Sequence, residues 1–120
     1  MIIGIGTDIC EINRIKPGEG FANKVLSESE LEVLKIKKNK QVYLAKRFAA
    51  KEAISKAFGC GIGSKLSFKD ISVLNNESGS PYVEISELAK AKLANFSSIH
   101  ISISDEKNYA IAYVVVEKND

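Results

Sequence analysis

Two acidic residues and one lysine in this sequence have types and spacing that could support chemistry together. Asp8 lies at the end of an apolar segment that contains two glycines. Glu52 and Lys56 are four residues apart in a segment of helical periodicity, so their side chains share one helix face. Two carboxylates from different elements suit Mg²⁺, which keeps water and substrate oxygens among its ligands. The ammonium of Lys56, one turn further on, could meet a phosphate.

Each of these residues also has a purely structural interpretation. Asp8 could be a turn residue, because Asp favours turns. Glu52 and Lys56 could be an ordinary solvated pair, which stabilises a helix by roughly 0.2–0.5 kcal/mol. The glycine-rich stretch at 59–63 could approach a phosphate closely, but it does not match the phosphate-binding pattern GxxxxGK[ST]. From the residues alone, both interpretations stay open.

The elements that must position these residues follow from apolar periodicity. Residues 1–9 are predicted to form a strand, because they are rich in isoleucine, and the glycines at 4 and 6 would let another backbone come close. Residues 41–58 form the longest segment of near-helical spacing, and Gly59 follows where a left-handed glycine often ends a helix. We therefore expect a strand to carry Asp8 and a long helix to carry Glu52 and Lys56.

The remaining segments predict short elements. Pro17, Gly18 and Gly20 mark a loop, and Ser27 with Glu30 matches a helix capping box. A first short helix is expected at 21–26. A second helix begins at the capping box, with Leu31, Leu34 and Ile36 facing inward. A third is expected at 87–95 after Ser86, with Leu88, Ala91 and Leu93 facing inward. Strands are expected at 66–74 (with Phe68 and Ile71 out of phase, as at a bend), 81–85, 99–104 and 109–116. Turns at 75–80 and 105–108 predict hairpins, so the fold class is α+β.

Composition and charge are typical of one globular domain over residues 1–120. Apolar residues make up 45% and charged residues 27%, and the net charge is only +2, which argues against a nucleic-acid-binding arm. No apolar run approaches the roughly 20 residues that span a bilayer, so we expect neither nucleic acid nor membrane as a partner. Cys10 and Cys60 form no CxxC pair, and we expect free thiols in a cytoplasmic protein. With one histidine, a multi-histidine metal site within one chain is excluded.

Basic residues gather in the middle of the sequence. They are Lys35, Lys37, Lys38, Lys40, Lys46, Arg47 and Lys51, with a smaller group at Arg14 and Lys16. A solvated helix face would explain most of these charges. The alternative is an acidic partner, because such a patch steers the association of oppositely charged molecules.

Several segments resemble one known family in order along the chain. Residues 4–12 resemble the opening motif of the holo-acyl carrier protein synthases, and residues 48–57 resemble their second motif, with the Lys-Glu-Ala core and the later lysine intact. Further similar segments lie at 59–63, 66–71, 75–81, 100–104 and 109–112. The resemblance implies the 4'-phosphopantetheinyl transferase fold, a small antiparallel sheet packed with one long helix and several short ones.

The resemblance also implies an activity. Members move 4'-phosphopantetheine from coenzyme A to a serine of apo-acyl carrier protein, which releases adenosine 3',5'-bisphosphate and serves fatty acid biosynthesis. Asp8 and Glu52 match the family's Mg²⁺ ligands, and Lys56 matches a lysine near the coenzyme A phosphates. The general base would be Glu52 or a metal-bound water. The family forms homotrimers with coenzyme A in clefts between subunits.

Other residues carry expected binding roles through the same resemblance. Arg14 matches a basic residue that meets the acidic recognition helix of the carrier protein. Arg47, with Lys46 beside it, falls in the region that receives the nucleotide end of coenzyme A. Gly59 and Gly61 are further candidate contacts of coenzyme A.

The late strand departs from the family in one place. Some members have a second histidine directly after the Ser-x-Ser of this strand, whereas this chain has Asp105. A family role for that imidazole therefore does not transfer, and Asp105 could be a turn residue. His100 is expected to be structural or a hydrogen-bond partner of coenzyme A rather than a general base.

Three functions from other classes remain alternatives at this level. A nucleotide- or RNA-binding module would use the basic helix, but the sequence lacks aromatic stacking motifs. A purely structural oligomerisation domain would leave Asp8 and Glu52 without a purpose. A metal-dependent pyrophosphate hydrolase would use similar residues without attaching a product to a protein.

Overall fold

The computed structural model describes residues 1–16 and 18–120, so Pro17 of the predicted loop lies outside the described residues. The strands are β1 (Ile2–Glu11), β2 (Ile71–Asn75), β3 (Pro81–Ile85), β4 (Ser98–Asp105) and β5 (Tyr109–Glu117). The helices are α1 (Glu19–Val25), α2 (Glu28–Ile36), α3 (Lys40–Ala57) and α4 (Glu87–Lys90), with 3₁₀ turns at Ile12–Arg14 and Phe68–Asp70. The α+β prediction is confirmed.

The strands form two antiparallel sheets, and α3 packs on one face of the larger sheet. That sheet has the order β1-β5-β4, while β2 and β3 form a separate hairpin. Side chains alternate across a strand, so one set of positions on β5 faces α3 and is fully buried: Ala110, Ala112, Val114 and Val116. Asp8 lies opposite Ala112 in the β1–β5 register, which puts it on the same, helix-facing side.

Two glycines let β1 lie directly against the backbone of α3. A Cβ atom built on Gly4 would lie 1.8 Å from the carbonyl oxygen of Ala57. One built on Gly6 would lie 2.0 Å from the carbonyl oxygen of Ala53. The expected close approach of a second backbone is confirmed, and that backbone belongs to the helix that carries Glu52 and Lys56.

Replacing Gly6 by alanine is therefore expected to destabilise the fold by about 3 kcal/mol or more, because strand and helix must separate to admit a methyl group. Urea unfolding followed by circular dichroism measures the change. Gly20→Ala is the matched control: Gly20 lies in α1 with open space around its Cα, so this change should be neutral or slightly stabilising. Equal unfolding midpoints for Gly6→Ala and the unmodified protein would contradict the packing argument.

The predicted strand at 66–74 is wrong in its first half. Residues Phe68–Asp70 form a 3₁₀ turn, and β2 begins only at Ile71. Ser67 and Asp70 close a capping box, in which the Asp70 carboxylate accepts hydrogen bonds from the Ser67 backbone N–H and hydroxyl. The sequence Ser-x-x-Asp carries that signal, and it explains the phase slip between Phe68 and Ile71.

The predicted helix at 87–95 is also too long. Ser86 caps it as expected, accepting a hydrogen bond from the Ala89 N–H, but α4 ends at Lys90. Ala89 is buried in place of Leu88, which is 68% exposed, and Ala91 is exposed as well, whereas Leu93 does pack against the core. The chain leaves the helix early and brings Phe96 edge-on to Phe58, with ring centres 5.2 Å apart.

The capping box at the start of α2 is confirmed. The Ser27 N–H donates to Glu30 Oε1 at 2.8 Å, and the Glu30 N–H donates to Ser27 Oγ. Leu31 and Leu34 pack against the core, but the inward prediction for Ile36 is wrong, since this last residue of α2 is 82% exposed. Ile36 is two residues beyond Leu34, so its side chain points to nearly the opposite side of the helix.

Among the described residues, none of the helices has both the length and the apolar character needed to span a bilayer.

Candidate active site

Asp8 and Lys56 meet across the contact between β1 and α3. Lys56 Nζ lies 2.9 Å from Asp8 Oδ1 and donates a hydrogen bond to the Thr7 carbonyl oxygen at 3.0 Å. Asp8 is inside β1 rather than in a turn, so the turn interpretation is wrong. The ion pair of Lys56 is with this strand rather than with Glu52 on its own helix, which also excludes the ordinary i,i+4 pair.

Glu52 completes a group of three charges. Its side chain is half-buried at the strand–helix contact, and burial raises the pKa of its carboxyl. The negative charge of Asp8 raises that pKa further, while Lys56 opposes the shift. Glu52 therefore lies within electrostatic reach of both residues, as the family resemblance of the two motifs implies.

The two carboxylates fit a magnesium ion. Asp8 and Glu52 are hard oxygen donors that repel each other, and a divalent cation between them would relieve the repulsion. No cluster of three or more His, Cys, Asp or Glu side chains suited to a metal occurs in residues 1–16 and 18–120. Water and substrate oxygens would have to complete the coordination, which is how Mg²⁺ usually binds.

A cavity of about 660 Å³ lies beside the first half of α3. Its lining residues include Lys46, Arg47, Asn75, Pro81, Tyr82 and Ile103. Arg47 is only 3% exposed, and its Nη2 donates to Asn75 Oδ1 at 2.6 Å. The guanidinium lies 4.7 Å from the centre of the Tyr43 ring, and its buried Nε has no hydrogen-bond partner among the residues that the structure describes.

The charge of Arg47 has no acidic partner in the described part of the chain. Burying a cation without a counter-charge destabilises the folded state. Because the Arg47 guanidinium lies on the wall of this cavity, its charge favours an anionic ligand there. The neighbouring Lys46 does have a partner: its Nζ lies 3.4 Å from Asp105 Oδ1. Asp105 is the last residue of β4, and its carboxylate pairs with a lysine of α3. It is therefore more than a turn residue.

Comparison with known proteins decides the family. Residues 4–114 match the sequence model of the 4'-phosphopantetheinyl transferase superfamily. The chain belongs to this superfamily. The predicted transferase is thereby confirmed over an RNA-binding module or a structural oligomerisation domain.

Individual members of the superfamily are similar to this transferase along its whole length. A holo-[acyl-carrier-protein] synthase of Vibrio atlanticus is 46% identical, and the match covers 97% of this chain and 98% of that protein. A Bacillus anthracis holo-(acyl-carrier-protein) synthase, solved in complex with CoA (3',5'-ADP), is 43% identical with a TM-score of 0.87 over 99% of both chains. The Neisseria meningitidis enzyme is 38% identical with a TM-score of 0.90, covering 98% of this chain and all of the other. The predicted fold is confirmed.

Arg14 is the last residue of the 3₁₀ turn that follows β1 in the transferase. Its side chain is 83% exposed and pairs with Glu11 Oε1 at 3.0 Å. Gln41 holds this segment in place, because its Nε2 donates to the Ile15 carbonyl oxygen at 2.9 Å. Most of the basic residues in the middle of the chain are exposed or half-exposed, as expected for a solvated face, but Arg47 and Lys51 are buried.

The remaining predicted residues of the transferase lie after the end of α3 and on β4. Gly59 adopts the expected left-handed conformation at φ 71° and lines a separate cavity of about 450 Å³ beyond α3, and Gly61 has φ 64°. His100 projects from the sheet face opposite to Asp8, and its Nε2 lies 2.5 Å from Glu117 Oε1. One transferase chain thus does not bring His100 to the Asp8 group.

The sequence did not predict one ion pair that is buried in the structure. Lys51 and Glu30 are fully buried in the transferase, and Lys51 Nζ lies 2.5 Å from Glu30 Oε1. The signal was available for Lys51, which stands among alanines of a buried helix face: Ala49, Ala50 and Ala53. For Glu30, the capping box pattern indicated only its local role.

Proposed function

We propose that this protein transfers 4'-phosphopantetheine from coenzyme A to a serine of apo-acyl carrier protein, as one catalytic domain over residues 1–120. The products are holo-acyl carrier protein for fatty acid biosynthesis and adenosine 3',5'-bisphosphate. The observation that carries this proposal is the meeting of Asp8, Glu52 and Lys56 in a chain similar along its length to holo-[acyl-carrier-protein] synthases.

The reaction needs charge neutralisation and alignment more than a nucleophile of the enzyme, because the carrier's serine supplies the attacking hydroxyl. Asp8 and Glu52 would hold Mg²⁺, which, when bound, supplies Lewis-acid stabilisation of pyrophosphate oxygens. Lys56 would neutralise charge that develops on the leaving phosphate. The proton of the serine hydroxyl would pass to Glu52 directly or to a water molecule.

Two further surfaces would bind the substrates. The cavity at Lys46 and Arg47 would take the nucleotide end of coenzyme A, since Arg47 offers a buried positive charge that forms no ion pair with the described acidic residues. Arg14 would meet the acidic carrier, because it is exposed and its pair with Glu11 is on the surface and easily exchanged.

We further propose that the active protein is a homotrimer with sites between subunits. The sheet face that points away from α3 exposes a band of apolar side chains, which is typical of an interface: Ile5, Ile9, Tyr109, Ile111 and Tyr113. In addition, Lys46 and Glu52 are separated by about 9 Å along α3 and by about 120° around it. Within one chain, Lys46 and Glu52 therefore do not face the same cleft, and a neighbouring subunit would complete the site.

Tyr113→Asp tests the interface. A charge in the middle of this face should dissociate the oligomer to monomers in sedimentation experiments and abolish transfer, while the circular dichroism spectrum is kept. Leu88→Asp is the matched control, because Leu88 is an exposed apolar residue on α4 outside that face. A monomeric unmodified protein would refute the trimer, and an active monomer would refute the shared site.

The decisive assay for the function mixes the protein with coenzyme A, Mg²⁺ and apo-acyl carrier protein. Mass spectrometry of the carrier should show one added phosphopantetheine group, dependent on the carrier's acceptor serine. Release of adenosine 3',5'-bisphosphate without a carrier adduct would indicate a pyrophosphate hydrolase. No adduct on any of several carriers would overturn the proposal.

A further inference from the structure

One acidic side chain pairs with a basic residue that lines the cavity beside α3. Asp105 follows Ile103 by two residues, so the two project from the same side of β4, and Ile103 lines the cavity. Asp105 Oδ1 lies 3.4 Å from Lys46 Nζ, and the two side chains are 36% and 32% exposed. Asp105 is thus within reach of whatever contacts Lys46.

The ionic environment of this cavity is unbalanced. Lys37, Lys46 and Arg47 all contribute to its wall, and within residues 1–16 and 18–120 only Lys46 among them forms an ion pair. An exposed or half-exposed pair of this kind contributes little to folding, about 0–1 kcal/mol. The main effect of the Asp105 carboxylate is therefore on the electrostatic potential that a ligand encounters in the cavity.

We propose that Asp105 sets the affinity of this cavity for the phosphate-bearing nucleotide end of coenzyme A and of adenosine 3',5'-bisphosphate. It does so by competing with a ligand phosphate for Lys46 and by repelling that phosphate. The inference rests on the proposed function, which brings such a ligand to the cavity. Its consequence is faster release of the bisphosphate product, because differences in affinity between related complexes appear mostly in dissociation rates.

The test is Asp105→Asn, which keeps the side-chain shape and removes the charge. Calorimetric titration with adenosine 3',5'-bisphosphate should show an affinity about three- to tenfold higher than that of the unmodified protein, as expected for removing one nearby like charge. KM for coenzyme A should fall in the same proportion, without a rise in kcat. The gain should shrink as salt is raised, because ions screen the repulsion. Loss of a merely structural contact would not tighten binding.

Glu84→Gln is the matched control, since it removes the same charge from an exposed position of β3 that does not line this cavity. Its affinity should equal that of the unmodified protein, whereas Lys46→Met should bind more weakly. Unchanged or weaker binding by Asp105→Asn overturns the inference. Because binding is measured without a carrier, a protein that binds the bisphosphate but modifies no carrier refutes the proposed function alone.

Discussion

Glu52→Gln is expected to lower the rate of carrier modification by about 100- to 1,000-fold at saturating coenzyme A and Mg²⁺, while the protein stays folded. The amide keeps the size of the side chain but removes one of the two negative charges that face each other between β1 and α3. It also removes one of the two proposed acceptors of the serine proton. Steady-state rates from the mass-spectrometric assay measure the loss.

The stability of Glu52→Gln should not fall, which separates catalysis from folding. Burial and the charge of Asp8 raise the pKa of Glu52, so its ionised form is less stable in the folded chain than in the unfolded chain. Above that raised pKa, the ionised carboxylate destabilises the fold, and a neutral amide removes this penalty. In metal-free buffer near pH 7, the variant should melt at the same temperature as the unmodified protein or slightly above it.

Glu32→Gln is the control for this substitution. Glu32 forms an exposed i,i+3 pair with Lys35 on α2, which is the solvated arrangement that Glu52 was shown not to have. Its rate and melting temperature should both stay near those of the unmodified protein. A second readout is binding of Mn²⁺ as a spectroscopic substitute, which should weaken only in Glu52→Gln. Near-normal turnover of Glu52→Gln at saturating Mg²⁺ would refute the role of Glu52.

The second large effect is expected at Lys51, whose ammonium joins four segments of the chain. Its Nζ donates to Glu30 Oε1 at 2.5 Å, to the Val25 carbonyl oxygen at 2.6 Å and to the Phe68 carbonyl oxygen at 3.0 Å. All three of its protons are therefore used. Glu30 in turn accepts a hydrogen bond from the Val73 N–H at 2.8 Å. Burial lowers the pKa of Lys51, and the charge of Glu30 opposes that shift.

Lys51→Met should lower the free energy of unfolding by about 3–5 kcal/mol, because it leaves the Glu30 carboxylate buried without a counter-charge. The double variant Lys51→Met, Glu30→Gln should recover part of this loss, since no unpaired charge then remains. Urea unfolding followed by circular dichroism suits the measurement, because the sequence has no Trp.

Lys35→Met is the control for Lys51→Met. It breaks an exposed pair with Glu32 and should change the free energy of unfolding by less than about 1 kcal/mol. If Lys51→Met unfolds at the urea concentration of Lys35→Met, the buried pair does not hold these segments together. A double variant less stable than Lys51→Met would show that hydrogen bonds of Glu30, rather than its charge, dominate.

The sequence carried enough information for the elements whose signals are local. The β-branched isoleucines and the glycines at Gly4 and Gly6 predicted both β1 and its contact with a second backbone. The long periodic segment predicted α3, and the resemblance of its motif directed attention to Glu52 and Lys56. Asp8 has a fixed position along β1, and Glu52 and Lys56 have fixed positions along α3. The contact between β1 and α3 therefore brings the three charged side chains together.

The parts that failed depend on contacts distant in sequence. After α4 ends at Lys90, Phe96 packs on Phe58, and helix propensity contains no information about that contact. The burial of Lys51 needs acceptors from three other segments, and a lysine at a helix position gives no indication of where they lie. The apolar outer face of the larger sheet was visible as β-prone residues, but its exposure appears only once α3 is seen to cover the opposite face.

The direct contact between β1 and α3 has a consequence for motion during turnover. At Gly4 and Gly6 the strand touches helix carbonyls without intervening side chains, so there are no rotamers there whose rearrangement could let the two elements slide. Asp8 and Glu52 are therefore attached to one stiff unit. Adjustments to substrates of different length must come from rotation of the longer side chains, Glu52 and Lys56, and repacking elsewhere in the core should leave the spacing of their Cα atoms from Asp8 unchanged.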